Sequence, residues 1–150
     1  MTETGAATRL AVLAEARGWI GTPYRHQGRT KGVGCDCLGL VLGVWRALYG
    51  SVPETPAVYG MSGADDGAAD ALLEGAARHM DRLPAGAERP GDLLVLRWRP
   101  GLPARHFGIL SAENRFIHAY HGMAVTDSCL VPQWRRRIAA AFAFPEISRG

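Results

Sequence analysis

Cys35-Asp36-Cys37 joins a glycine-dense loop (Gly28, Gly32, Gly34) to an apolar run at helical spacing: Leu38, Val41, Leu42, Trp45 and Leu48. If that run is a helix, Cys37 lies in its first turn, where unpaired backbone N–H groups and the macrodipole favour negative charge. A thiol there can ionise well below the free value of about 8.5, which makes Cys37 a candidate nucleophile. Hydrolysis by cysteine also needs a base and acid beside the sulfur and a third group that orients the base. Five histidines could serve: His26, His79, His106, His118 and His121. His79 sits among alanines and arginines and reads as a surface residue. His26 lies in the loop before the cysteine and could line a site, but nothing fixes its role.

His106 and His118 are better placed, each in a strand pattern, with Ala112-Glu113-Asn114-Arg115 as the turn of a hairpin. Register decides what can meet. A two-residue turn at Glu113-Asn114 sets His106 opposite His121 and puts His118 on the other face. A bulge that shifts the pairing by one residue brings His118 to the face of His106, so His118 and His121 are rivals for the orienting role. Such an imidazole could accept the Nδ1–H of the base and leave its Nε2 for the thiol.

Taken singly, each cysteine reads as a small buried hydrophobe and each histidine as a core or surface residue. Their combination with a glycine-rich approach and a helix start indicates a site. Zinc held by Cys35, Cys37, His106 and His118 is the competing reading. Cys-x-Cys, however, is tighter than the spacing of structural sites and strains tetrahedral geometry, so neither a metal nor another cofactor is expected. Three cysteines leave one over from any disulfide pairing. Cys35 and Cys37 are too close to bridge comfortably, and reduced thiols are expected, Cys35 as a packing residue and Cys129 without a role.

The elements that must position these residues follow from periodicity. A first helix is expected from about Thr8 to Ile20, ended near Gly21 and Pro23, and a second from Cys37 to Tyr49 with Gly50 after its end. Ser51 to Ser62 reads as loop, and Asp65 to Arg82 as a weaker amphipathic helix. Strands are expected at Asp92–Trp98, His106–Ala112, Arg115–Tyr120, Met123–Asp127 and Ile138–Phe144, with a helical turn at Pro132–Arg136. Helices first and adjacent strands afterwards indicate an α+β domain with an antiparallel sheet. A helix bearing a cysteine packed on a sheet bearing histidines is the architecture of papain-like hydrolases.

The 150 residues fit one domain, 1–150, able to bury a real core. At 47% hydrophobic and 21% charged residues the composition is that of a soluble globular protein. No apolar stretch reaches the roughly 18 residues of a membrane span. Met1-Thr2-Glu3-Thr4-Gly5 has neither the basic nor the apolar region of a secretory signal, so synthesis in the cytoplasm is expected. The net charge of +3 comes almost wholly from arginine, densest at Arg135-Arg136-Arg137, with Lys31 the only lysine. A nucleic-acid surface would show a broader stripe with interleaved aromatics; a solvated face or a protein contact is the better reading.

Five pieces in order resemble the NlpC-type peptidoglycan endopeptidases, a bacterial branch of the papain-like cysteine peptidases. They are Gly21-Thr22-Pro23-Tyr24, Asp36-Cys37-x-Gly39-Leu40, Pro90-Gly91-Asp92-Leu93, His106-Phe107-Gly108-Ile109 and Phe116-Ile117-His118-Ala119. They cover most of the chain from Trp19 to Ala119. Lys31-Gly32-Val33-Gly34-Cys35-Asp36-Cys37 and the ending Trp134 to Pro145 are similar to the subgroup encoded with phage tails and gene transfer agents. The resemblance implies an NlpC-type fold with Cys37 as nucleophile, His106 as base and acid, and His118 as the orienting member. It implies that Tyr24, with the Cys37 N–H, stabilises the oxyanion, and that Asp36 and Tyr24 hold the free amino group of the stem's L-alanine. The implied reaction is cleavage of the γ-D-glutamyl to diamino-acid bond of peptidoglycan stem peptides. The implied setting is a phage-like tail or baseplate particle acting at the cell wall. One position departs: Leu38 stands where the family most often has serine, removing a hydroxyl from the amine subsite. A structural tail-tip component with a silent site, and a related amidase or acyltransferase, are the rival readings.

Overall fold

Asp36 leaves an extended backbone (φ −110°, ψ −170°) and accepts the Gly39 N–H at 2.9 Å, so the helix that follows starts at Cys37. Gly50 ends it in the left-handed region, φ 83°, returning its N–H to the Arg46 carbonyl. The computed structural model describes residues 3–53 and 70–147. In chain order these form α1 (Glu3–Arg17), β1 (Arg29–Thr30), β2 (Gly34–Cys35), α2 (Cys37–Tyr49), α3 (Ala71–His79), β3 (Asp81–Arg82), β4 (Leu93–Leu96), β5 (His106–Ala112), β6 (Arg115–His118), β7 (Thr126–Cys129), α4 (Pro132–Arg135) and β8 (Ile138–Ala143). The fold is α+β. One sheet has the antiparallel order β3-β8-β4-β5-β6-β7, and β1 and β2 form a separate short hairpin.

Alternation along the strands divides the core in two. Leu93, Val95, Phe107, Ile109, Ile117, Ala140 and Phe142 face Leu40, Val41 and Val44 of α2 and Val12 and Ala16 of α1. Leu94, Leu96, Leu110, Phe116 and Ala141 face the other way, beneath Leu130 and Trp134. Fully burying one such side chain is worth about 1.5–3 kcal/mol, so both faces hold the sheet. α2 packs directly on β5, which brings the start of that helix to the start of the histidine strand.

Several boundaries differ from the periodicity reading, each for a local reason. α1 stops at Arg17 because Gly18, Trp19 and Ile20 donate to Glu15, Ala16 and Arg17, tightening the chain into turns before Gly21. Met123–Asp127 is not the next strand. Met123 closes a turn onto Tyr120, and Val125 exchanges backbone hydrogen bonds with Gly21 and Thr22, so β7 begins at Thr126. Asp81 and Arg82 do not end a helix; they pair with Ala143 and Phe142 at the sheet edge. The loop expected at 51–62 and the first part of the helix expected at 65–82 lie largely outside the described residues.

Candidate functional site

The loop before α2 is clamped onto the helix start. A Cβ on Gly39 would stand 1.8 Å from the Gly28 carbonyl oxygen, so only glycine lets the two backbones meet. The second Asp36 oxygen accepts the N–H of Gln27 at 2.6 Å, and Gln27 is held at φ 63°. Arg25 donates to the Cys35 carbonyl and Cys35 to the Pro23 carbonyl. This short bridge sets Tyr24 alongside Cys35, and the neighbouring Asp36 and Cys37 charges add to burial in raising its pKa. Asp36 is thus a buried helix cap first, whatever else it meets.

The Cys37 thiol lies against the start of β5. Its Sγ is 3.9 Å from the Arg105 carbonyl oxygen, and the Phe107 N–H points to it from the other side. Those two groups flank His106 in the chain, so the sulfur sits at the backbone from which that imidazole branches. The lowered thiol pKa expected of a helix start is not what the surroundings produce. Burial, followed by the Asp36 charge, pushes Cys37 up to about 12, against the Phe107, Leu38 and Cys37 N–H groups that favour the thiolate. The surroundings thus favour the protonated thiol.

The histidines meet through a bulge. Ala112 pairs with Arg115 across a two-residue turn, but Leu110 pairs with Phe116 and Ile109 with Ile117, leaving Ser111 as an extra residue. That shift brings His118 to the face of His106, where His106 Nε2 lies 2.9 Å from His118 Nδ1. His121 is exposed and packs edge-on against the Tyr24 ring at 5.2 Å instead. The nitrogen roles are the reverse of those expected: His106 turns Nε2, at the far end of its ring, to its partner. That leaves Nδ1, nearer its own backbone, as the ring nitrogen not used in this contact.

Both rings are buried and packed. Trp98 and Trp134 stack on His106 at 5.6 Å each, and Phe116 stacks on His118 at 4.0 Å. Gly108, two residues after His106 on β5, carries no Cβ, which would stand 2.4 Å from the Phe116 ring. Desolvation, then the charge of His118, lowers His106 to about 3; desolvation lowers His118 to about 4 against the pull of Asp127. Burial thus favours the neutral form of both the thiol and the imidazole. Such a pair can pass a proton from sulfur to Nδ1 as the sulfur attacks, without a standing ion pair.

Among the remaining residues singled out by sequence, His26 is exposed and His79 lies edge-on to Trp45 at 6.3 Å, on the far side of α2. Leu38 turns into the core, lining an apolar cavity of about 50 Å³ with Val41, Trp45, Leu72 and Phe107. Cys35 is buried, its thiol also pushed up to about 12 by burial and Asp36, and Cys129 is exposed. Among the described residues no three histidine, cysteine or carboxylate groups converge as metal ligands. No helix among them is long and apolar enough to cross a membrane. Sequence reasoning missed Trp98, Trp134 and Ser128, whose Oγ lies 3.1 Å from His118 Nε2. Only the strand pairing, which sets Phe116 beside Ser128, could have pointed to that serine.

The probable endopeptidase NlpC of Escherichia coli is 30% identical over 117 residues, 77% of this chain and 64% of that protein. The E. coli protein named murein DD-endopeptidase MepS/murein LD-carboxypeptidase is 28% identical over 128 residues, 84% of this chain and 57% of its own. The chain thus spans somewhat under two thirds of these curated relatives. Among solved structures, the NlpC/p60 domain of the peptidoglycan hydrolase SagA superposes with a TM-score of 0.66 at 26% identity, over 91% of this chain and 98% of that one. A Bacillus cereus NlpC/P60 family protein shares the fold at the same TM-score and 16% identity, over 93% of this chain and 40% of its own. The NlpC/P60 family profile matches residues 21–142, a span that takes in the clamped loop, Cys37, both buried histidines and the sheet that holds them: the chain belongs to the NlpC/P60 family.

Proposed function

We propose that the chain is a cysteine peptidase of peptidoglycan stem peptides, with Cys37 as nucleophile, His106 as base and acid and His118 as its orienting partner. One observation carries this reading. Cys37 Sγ lies against the backbone on both sides of His106, whose Nε2 is in turn 2.9 Å from His118. As Sγ attacks the amide carbon, its proton passes to His106 Nδ1, and the resulting imidazolium is held by Nε2–H donating to His118 Nδ1. The same Nδ1 proton then goes to the leaving amine, giving a thioester. His106 next takes a proton from water, which attacks the thioester carbon and returns the thiol. The Cys37 N–H and the Tyr24 hydroxyl are the donors proposed for the oxyanion, each worth a few kcal/mol of barrier if well aimed.

The bond proposed is the γ-D-glutamyl to diamino-acid amide, with Asp36 and Tyr24 contacting the stem's amino end. The name of the MepS relative motivates a second reading, cleavage of a D,D-cross-link or an L,D-carboxypeptide bond. Digestion of intact sacculi and purified muropeptides by wild type and Cys37→Ala, with product masses, separates these bonds. Full activity of Cys37→Ala would overturn the nucleophile. Delivery in a phage-like tail particle is proposed from the Lys31–Cys37 and Trp134–Pro145 stretches; recovery of the chain with tail or baseplate proteins in purified particles tests it.

A further inference from the structure

Ser128 of β7 stands behind His118. Its Oγ is 3.1 Å from His118 Nε2, while Nδ1 of the same ring is 2.9 Å from His106 Nε2. A neutral imidazole has one N–H and one bare nitrogen, so a hydrogen on one member of this line dictates the next. Two arrangements satisfy both contacts. In the first, the Ser128 hydroxyl donates to His118 Nε2, His118 Nδ1–H donates to His106 Nε2, and His106 carries its hydrogen on Nδ1. That occupies the nitrogen which the Cys37–His106 reading gives to the thiol, and leaves no base. In the second, His106 Nε2–H donates to His118 Nδ1, His118 Nε2–H donates to Ser128 Oγ, and His106 Nδ1 is bare.

We infer that Ser128 is a positioning residue of the site: by accepting the Nε2–H of His118 it keeps His118 Nδ1 bare, and through it keeps His106 Nδ1 bare toward Cys37. This rests on the Cys37–His106 reading above. The neighbouring carboxylate does not displace this arrangement: Asp127, held by the Ser111 hydroxyl at 2.7 Å and Arg115 at 3.3 Å, favours positive charge on His118, but burial outweighs it and favours the neutral ring. A hydroxyl is suited to the place because it adds an acceptor without adding a further charge beside the two rings. Its strand also fixes it, since Phe116 and His118 of β6 pair with Ser128 and Thr126 of β7.

The test compares Ser128→Thr, which keeps the hydroxyl, with Ser128→Val, which has the same shape without it. Two quantities are measured: the side-chain ¹⁵N signals of His106 and His118 in the full chain, and turnover of muropeptides. Wild type and Ser128→Thr should show protonated Nε2 and bare Nδ1 at both rings. In Ser128→Val, His118 should move toward the Nδ1–H form, with kcat lowered roughly tenfold to a hundredfold, by analogy with losing the outer partner of a metal-bound histidine, and KM unchanged. Ser128→Ala, a smaller packing change, carries the same expectation. The inference is overturned if wild type carries its hydrogen on His106 Nδ1, if Ser128→Val keeps the wild-type tautomers, or if, with wild type active, Ser128→Val turns over as fast as Ser128→Thr. The ¹⁵N arm needs no substrate. A chain that shows the shift but cleaves no stem peptide supports Ser128 and rejects only the substrate reading.

Discussion

Gly39 of α2 and Gly28 of the preceding loop meet backbone to backbone, with no room for a single methyl group between them. This contact, with the Asp36 cap, holds the loop carrying Tyr24 against the turn carrying Cys37. Gly39→Ala should therefore push the loop away rather than merely fill space. The expected loss of stability is about 1–3 kcal/mol, the range for overpacking, read as a lower urea midpoint. Activity should fall further than that loss explains, because the donors proposed for the oxyanion, Tyr24 and the Cys37 N–H, come from both sides of the contact. A variant with wild-type midpoint and activity would refute the clamp.

The rival histidines give a sharp pair of variants. His118→Ala removes the partner of His106 Nε2 and should lower kcat by about 10²–10⁴-fold, the usual weight of a positioned acid–base group. His121→Ala removes only an exposed edge contact with Tyr24 and should change kcat by much less. Steady-state kinetics on one muropeptide decides it; equal losses would mean that His121 reaches the substrate.

Burial of two neutral histidines makes the fold sensitive to acid. In the unfolded chain each protonates near 6.5, but in the folded chain only near 3 for His106 and near 4 for His118. Between these values the unfolded state binds more protons, so this contribution is fully present above about pH 6.5 and is lost as pH falls toward 4. Each group can remove up to roughly 1.4 kcal/mol per pH unit within its window. The urea midpoint should drop between pH 7.5 and pH 5, and His106→Phe, which keeps a ring between Trp98 and Trp134, should shallow the drop. An unchanged slope in that variant would contradict the assignment.

A thiol held up to about 12 is a poor target for alkylating agents at neutral pH. Exposed Cys129 should be labelled by iodoacetamide before Cys37 at pH 7.5, and Cys35, buried and equally raised, should lag with it. Peptide mass spectrometry over a time course gives the order. Cys37 labelling first would show that the folded chain in solution holds a thiolate there.

Much of this arrangement was legible in the sequence because it is local. The start of α2 at Asp36-Cys37 and its end at Gly50 follow from a cap, an apolar period and a glycine, and the structure has the same limits. The fold class followed from the order of helical and strand patterns. What was not legible depends on distant partners. Burial, invisible in a helix-start argument, reversed the direction of the Cys37 shift. The strand at 126–129 moved because Val125 spends its backbone on Gly21 and Thr22, a hundred residues earlier. His118 could not be chosen over His121 from spacing, since the choice turns on whether one residue bulges. Trp98 and Ser128 carry no motif, and Trp134 only opens a matching stretch; their contacts with the histidines arise from how the sheet brings them together.

Ser111, the extra residue of the β5–β6 hairpin, is where the chain can change length without turning either histidine to the other face, although the hydroxyl that holds Asp127 is lost with it. Removing it would join Leu110↔Phe116 directly to Ala112↔Arg115, giving a regular hairpin with Gly108 still across from His118. Removing any one of residues 107 to 110 instead would reverse the facing of His106 relative to His118 and separate the two rings, even if the sheet kept its strand order. Tolerance to single-residue deletions along this hairpin should therefore be uneven, with one permissive position beside four that abolish the histidine pair.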